Sequence, residues 1–258
     1  MLSALPGENS RAFRKVREAL RRPADSGQAC AKMIDITPDG FGIPLSIPSE
    51  HGLLHGQLAL LPNACGLVVL AHAAISLDSR DELLAGQFRH AGLSTLSVDL
   101  LARQEERFAD VHNNVPLLAK RLLDFLGLIR NRMLLGELQT LPLGLYAANA
   151  TSPVAVRVAA QRDHDIAAIV CRGGLIDLAG MLYLRSLESP LLMLVEETDT
   201  QHIASSNRAL KEVHGCKELK LIPEIGIEYA SSTGFEVSAH EASLWFVRHF
   251  TEACPVLT

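Results

Sequence analysis

Apolar positions recur along the chain in two periods, and the alternation between them sets the architecture. Gly66 to Ala71 (GLVVLA) is a continuous apolar run, as expected for a strand covered on both faces. Leu93 to Leu100, Pro142 to Tyr146, Ile166 to Cys171, Leu191 to Val195 and the shorter Leu219 to Ile222 read the same way. Between them lie helical patterns. Ser79 to Ala91 carries Leu83, Leu84 and Phe88 and is closed by Gly92. Asn114 to Arg132 carries Leu117, Leu118, Leu122, Leu123 and Phe125. Val154 to Ala160, Gln201 to His214 (ended by Gly215) and Phe235 to Phe250 complete the set. Ahead of the first buried run, Leu53 to Leu61 reads as a strand with a hairpin partner around Gly42 to Ile47. Strands alternating with helices predict an α/β fold: a mostly parallel sheet, helices on both faces, and an antiparallel N-terminal hairpin at one edge. A dinucleotide-binding reading fails, because no Gly-x-Gly-x-x-Gly follows the first buried strand.

Composition narrows the classes. With 258 residues and 48% hydrophobic positions, the chain supports one large domain, placed at 43–258. A formal net charge of −5 argues against nucleic-acid binding by that domain. Cys30, Cys65, Cys171, Cys216 and Cys254 are odd in number, scattered, and show no Cys-x-x-Cys spacing. Neither a zinc site nor a disulfide framework is expected, and a reducing cytoplasm fits. No cofactor is implied. No apolar run approaches the roughly 20 residues of a membrane span, and no secretory leader is expected.

Residues 1–42 differ. Ser10 is placed to cap a basic helix from Arg11 to Arg22, ended by Pro23, with Phe13, Val16 and Leu20 on one face. Arg11, Arg14, Lys15, Arg17, Arg21 and Arg22 crowd the remainder, with Glu18 among them. The readings are a solvated helix or arm docked by its three apolar residues, a partner- or anion-binding arm, and an organelle presequence. The last is disfavoured by Glu8 and Glu18.

The chemistry turns on Leu141 to Gln161 (LPLGLYAANATSPVAVRVAAQ), a buried strand, a sharp turn and a helix. Taken with GLVVLAHAA (Gly66 to Ala74), HAGLSTLSVDLL (His90 to Leu101), IVCRGGLIDLAG (Ile169 to Gly180) and LLMLVEETD (Leu191 to Asp199), it resembles the dienelactone-hydrolase-like branch of the α/β-hydrolase superfamily. The resemblance covers about 43 to 250. It implies a Ser nucleophile, an orienting Asp and a His base. The nucleophile position falls on Asn149, the acid on Asp199 and the base on Ile227. An amide nitrogen is delocalised into its carbonyl and is a poor nucleophile, and Ile227 has no imidazole. The triad is degenerate, and removing Ser or His alone costs on the order of a million-fold in a protease template. A pseudo-hydrolase that binds a ligand or a protein is therefore expected.

The residues expected near the pocket are His72 and Ala73 (in place of the family's His-Gly), Ala150, Cys171 and Arg172. The alternative is a rebuilt hydrolase or esterase site using Cys171 or Ser152 as nucleophile. Against these stand blander readings: Cys171 as a buried structural thiol, Ser152 as a helix cap before Pro153, Asp199 as the cap of Gln201 to His214, His72 as a loop-shaping residue and His240 as a surface histidine. Asp177 and Glu196 read as solvated acids, and no metal is expected. Asn tolerates positive φ, so the turn can survive. Thr151 in place of a family glycine is expected to crowd it. Ser152-Pro153 is expected to delay the helix and relax the elbow.

Overall fold

The computed structural model describes residues 42–73, 79–105, 108–162, 165–225 and 233–253. They belong to one compact unit, Ile36–Thr258. The basic segment expected over 11–22, Cys30, Cys254 and the base position Ile227 lie outside the described residues.

Eight strands form one sheet: β1 (Ile43–Ser49), β2 (Gly52–Ala59), β3 (Leu67–His72), β4 (Ser94–Asp99), β5 (Leu143–Ala148), β6 (Ile166–Arg172), β7 (Leu191–Glu196) and β8 (Lys217–Ile222). Their order is β1-β2-β4-β3-β5-β6-β7-β8. β1 pairs antiparallel with β2, and β2 antiparallel with β4. Every other pairing is parallel. This is the mixed sheet expected from the runs of apolar residues. β3 and β4 are buried almost throughout, whereas β1 alternates buried and exposed, as an edge hairpin must.

The helices are α1 (Ser79–His90), α2 (Val115–Leu134), α3 (Ser152–Gln161), α4 (Met181–Arg185), α5 (Thr200–Leu210) and α6 (Thr233–Ala253). Short 3-10 turns at Arg103–Glu105, Ala109–Asn113, Asn149–Thr151 and Ile176–Ala179, together with α4, were not expected from the sequence. α5 stops at Leu210, short of the predicted His214. Two cores form, one on each sheet face. Leu143, Leu145 and Ala147 of β5 join Leu118, Leu122 and Phe125 of α2 on one side. Val68 and Leu70 of β3 join Phe88 of α1 and Phe246 and Phe250 of α6 on the other. α6 approaches the central strands closely: a Cβ on Gly144 would lie 2.6 Å from Phe246 Cε1. That contact needs a residue without a side chain. It brings α6 down onto β5, the strand that carries the elbow.

Candidate active site

β5 ends in extended backbone at Ala148 (φ −131°, ψ 141°), and Asn149 then turns into the left-handed region at φ 52°. Non-glycine residues rarely adopt this conformation, and Asn does so more readily than most. Asn149 is exposed at the tip. The turn is tied from below. The Ala148 N–H donates to Thr151 Oγ1 at 3.1 Å, and the Thr151 hydroxyl donates back to the Ala148 carbonyl at 3.0 Å. The 3-10 turn Asn149–Thr151 then runs directly into α3.

Three expectations are corrected by this geometry. Thr151 does not crowd the turn; its hydroxyl satisfies both backbone groups of Ala148, and its side chain is buried. The helix does not start late, because the 3-10 turn supplies its first residues. Ser152 is not a helix cap. It is already helical (φ −56°, ψ −48°), and its hydroxyl donates to the Gly173 carbonyl at 2.9 Å. The elbow is tightly wound rather than relaxed.

The loop after β6 clasps the same turn. Gly173 and Gly174 both have positive φ, 62° and 80°. A Cβ on Gly174 would lie 2.1 Å from the Asn149 carbonyl oxygen, and one on Gly173 3.0 Å from Asn149 Oδ1. The glycine pair is thus read as the seat of the elbow backbone. Cys171 lies beneath it, fully buried, with its thiol donating to the Ser152 carbonyl at 3.6 Å. Burial pushes that thiol up to about 12, with Ser152 opposing weakly. Neither nucleophile of the rebuilt-site alternative is accessible: Cys171 holds its proton and Ser152 has no exposed surface. Arg172 donates through Nε to the Tyr146 hydroxyl at 3.2 Å.

The remaining predicted residues fall on neighbouring strand ends. β3, β5 and β6 are adjacent, so His72, Ala73, Ala150, Cys171 and Arg172 share one edge of the sheet with Asn149. Among the described residues the His72 side chain bonds no backbone group; its Nδ1 lies 3.3 Å from Asp81 Oδ1. The backbone role belongs to His112, whose Nδ1 is 2.9 Å from the Ala73 carbonyl oxygen. Sequence reasoning missed His112, because nothing local ties residue 112 to residue 73.

Asp199 caps α5. Its Oδ1 accepts from the His202 N–H at 3.0 Å, and its Oδ2 lies 2.6 Å from His202 Nδ1. The His202 N–H, with the imidazole adding to it, outweighs the cost of desolvation and holds this carboxyl below the usual range. His202 is a partner the sequence pattern did not expose. His240 lies on the exposed side of α6, and Asp177 is exposed. Among the described residues, no group of three or more His, Cys, Asp or Glu side chains is arranged to hold a metal ion. Nor is any described helix long and apolar enough to cross a membrane.

Strand order, the positive-φ elbow after β5 and the glycine seat after β6 define the α/β-hydrolase fold, and the chain has that fold. Its structural neighbours include dienelactone hydrolase from Anabaena variabilis, 28% identical, with a TM-score of 0.72 over 81% of this chain and 97% of that one. Est1E from Butyrivibrio proteoclasticus aligns at a TM-score of 0.64 and 10% identity, over 81% of this chain and 99% of that one, a likeness of fold. Among curated proteins, a "Putative phosphoribosyl transferase" of Mycobacterium tuberculosis is 31% identical over 196 residues, 75% of this chain. The matched stretch is 43% of that relative's length, so the chain spans less than half of it. No family model matches the chain.

Proposed function

We propose that the protein is a pseudo-hydrolase of the dienelactone-hydrolase type, which keeps the hydrolase elbow to bind a ligand or a protein partner rather than to cleave an ester. The carrying observation is Asn149: an amide, not a hydroxyl or thiol, occupies the exposed positive-φ tip. A carboxamide there donates and accepts hydrogen bonds but cannot form the acyl-enzyme on which serine hydrolysis runs. Two further features support this reading. The resemblance puts Ile227 at the base position, and both carboxylate oxygens of Asp199 are engaged by His202. In this reading the sheet edge formed by His72, Ala73, Ala150, Arg172 and the exposed Asn149 amide is the binding surface. The basic residues Arg11, Arg14, Lys15, Arg17, Arg21 and Arg22 form a second contact for a partner, and the protein works in the cytoplasm. The transferase named for the Mycobacterium tuberculosis relatives belongs to proteins of which this chain spans less than half.

The test is turnover of p-nitrophenyl esters together with labelling by a fluorophosphonate probe. Neither is expected above the level of a heat-denatured control. Stoichiometric labelling of the unmodified protein would overturn the proposal.

A further inference from the structure

The sheet ends in β1 on one side and β8 on the other, and the two edges are guarded differently. The two-residue turn Glu50–His51 makes Ser49 and Gly52 a bonded pair, so Ile43, Leu45 and Ile47 also turn their backbone groups toward β2. Pro44, Ser46 and Pro48 turn theirs outward. Pro44 and Pro48 offer no N–H, so β1 is a poor template for another strand.

β8 carries no such block. The Leu191 N–H donates to the Cys216 carbonyl at 2.9 Å, and the Glu197 N–H to the Ile222 carbonyl at 2.9 Å. Backbone groups of a strand alternate between its two sides, so Cys216, Glu218, Lys220 and Ile222 serve β7. Lys217, Leu219 and Leu221 turn their N–H and C=O groups away from the sheet. Among the described residues nothing bonds these groups. None of the three is proline, and the Leu221 side chain adds an apolar surface that is 53% exposed. Lysine commonly guards an open edge, but both ammonium groups are held within the chain. Lys217 donates to the Val213 carbonyl and Lys220 to Glu241.

We propose that β8 is the interface for a second copy of this chain, the two β8 strands pairing antiparallel about a two-fold axis at Leu219 and joining the two sheets into one. The stretch Lys217 to Leu221 (KELKL) is self-complementary in that register. Leu219 meets its own counterpart, and Lys217 meets Leu221 of the other copy. These are the bonded pairs, so every outward N–H finds a carbonyl. Glu218 then stands opposite Lys220 of the other copy on both sides of the axis. Those are the non-bonded pairs, where Cα atoms approach to about 4.5 Å and opposite charges across the strands stabilise the pairing. Neighbouring registers are worse. Centring on Lys217 sets that residue against itself, and centring on Leu221 sets Leu219 against Pro223, which has no N–H. The interface lies at the end of the sheet, three strands from β5, and does not depend on what the elbow binds.

A single strand edge is a small interface, so association is expected at micromolar concentrations. Sedimentation velocity of the full chain is run over about 1–200 µM, spanning that range. Reductant is present, because Cys216 is exposed beside the strand. The wild type should pass from monomer to dimer. Leu221→Pro removes an outward N–H that β7 does not use, and should weaken the dimer at least about tenfold. Glu218→Lys sets like charges opposite one another, as does Lys220→Glu, and each alone should weaken it similarly. Mixed in equal amounts, these two charge variants face Lys with Glu at both positions, and the mixture should dimerise within about threefold of the wild type. Circular dichroism identifies the variants that fold, and Leu221→Pro serves if a charge variant does not. A wild type monomeric at the highest concentration would overturn the proposal and leave the edge to a strand of another protein. Wild-type dimerisation retained in folded Leu221→Pro or Glu218→Lys, or no recovery in the mixture of folded variants, would overturn it as well.

Discussion

Asp199 gives both carboxylate oxygens to one residue, Oδ1 to the His202 N–H at 3.0 Å and Oδ2 to His202 Nδ1 at 2.6 Å. A triad acid works by orienting the base's Nδ1–H. Here that role is spent on a histidine three residues along the same helix. Restoring a hydroxyl and an imidazole by Asn149→Ser with Ile227→His is therefore expected to fail although the turn at 148–152 is tightly wound, because the acid is occupied. The double variant should show no turnover of p-nitrophenyl acetate above background. Adding His202→Ala frees Oδ2 while leaving the Oδ1 cap, and should raise the rate at least about tenfold, since an unoriented imidazole loses orders of magnitude. Equal rates for the double and triple variants would show that Asp199 is not the limiting residue.

The thiols make a second check, because burial alone separates them. Cys171 is fully buried, with its thiol pushed up to about 12, whereas Cys216 is exposed. Iodoacetamide at pH 7.5, followed by mass spectrometry, should modify Cys216 and leave Cys171 untouched until denaturant is added. Rapid native labelling of Cys171 would contradict its packing beneath Ser152.

Much of this architecture was legible in the chain because it rests on local periodicity. Gly66 to Ala71 reads as buried on both faces and is β3; the run from Pro142 is β5; even the positive φ of Asn149 follows from residue type. What was not legible depends on pairs distant in sequence. Gly173 and Gly174 read as a family motif, yet their physical role, to let the Asn149 backbone approach, needs the fold. Thr151 looked like a steric fault because β-branching is a local property, whereas its two bonds to Ala148 are a property of the turn. The Asp81–His72 contact joins a helix and a strand, and no spacing announces it.

A buried ion pair fixes the loop after β4 and sets a third expectation. Arg121 of α2 donates from Nη2 to Glu105 Oε1 at 2.6 Å and from Nη1 to Oε2 at 2.7 Å, and also to the Leu100 carbonyl. The Ala102 N–H completes the carboxylate's bonds at 2.9 Å. Burial disfavours the charged Glu105, but the hydrogen bonds from Arg121 and Ala102 outweigh it, and its pKa lies below the usual range. Its contribution to stability is therefore present above that range and lost as pH falls through the depressed value. Glu105→Ala leaves Arg121 buried and uncompensated, at a cost of about 3–5 kcal/mol in urea unfolding. Replacing both with Leu and Met should recover most of the loss. A double variant as unstable as the single one would show that the loop needs the charges themselves.

The seat beneath the elbow is the most exacting contact in the site, and one methyl group tests it. Gly174 has φ 80°, and a Cβ there would lie 2.1 Å from the Asn149 carbonyl oxygen and 3.0 Å from Ser152 Cβ. The first is backbone, so no side-chain rotation relieves the clash. Gly174→Ala therefore incurs both the left-handed penalty, about 1 kcal/mol or more, and the displacement of the elbow. Gly92 also has positive φ, 81°, but a Cβ there meets nothing within 4 Å. Gly92→Ala is thus the control that incurs the conformational penalty alone. Urea unfolding should show Gly174→Ala losing at least about 1 kcal/mol more than Gly92→Ala. Backbone amide shifts in its NMR spectrum should change around 148–152, a region unaffected by the control. Equal losses, with no shift at the elbow, would mean that the glycine pair is not what holds Asn149 in place.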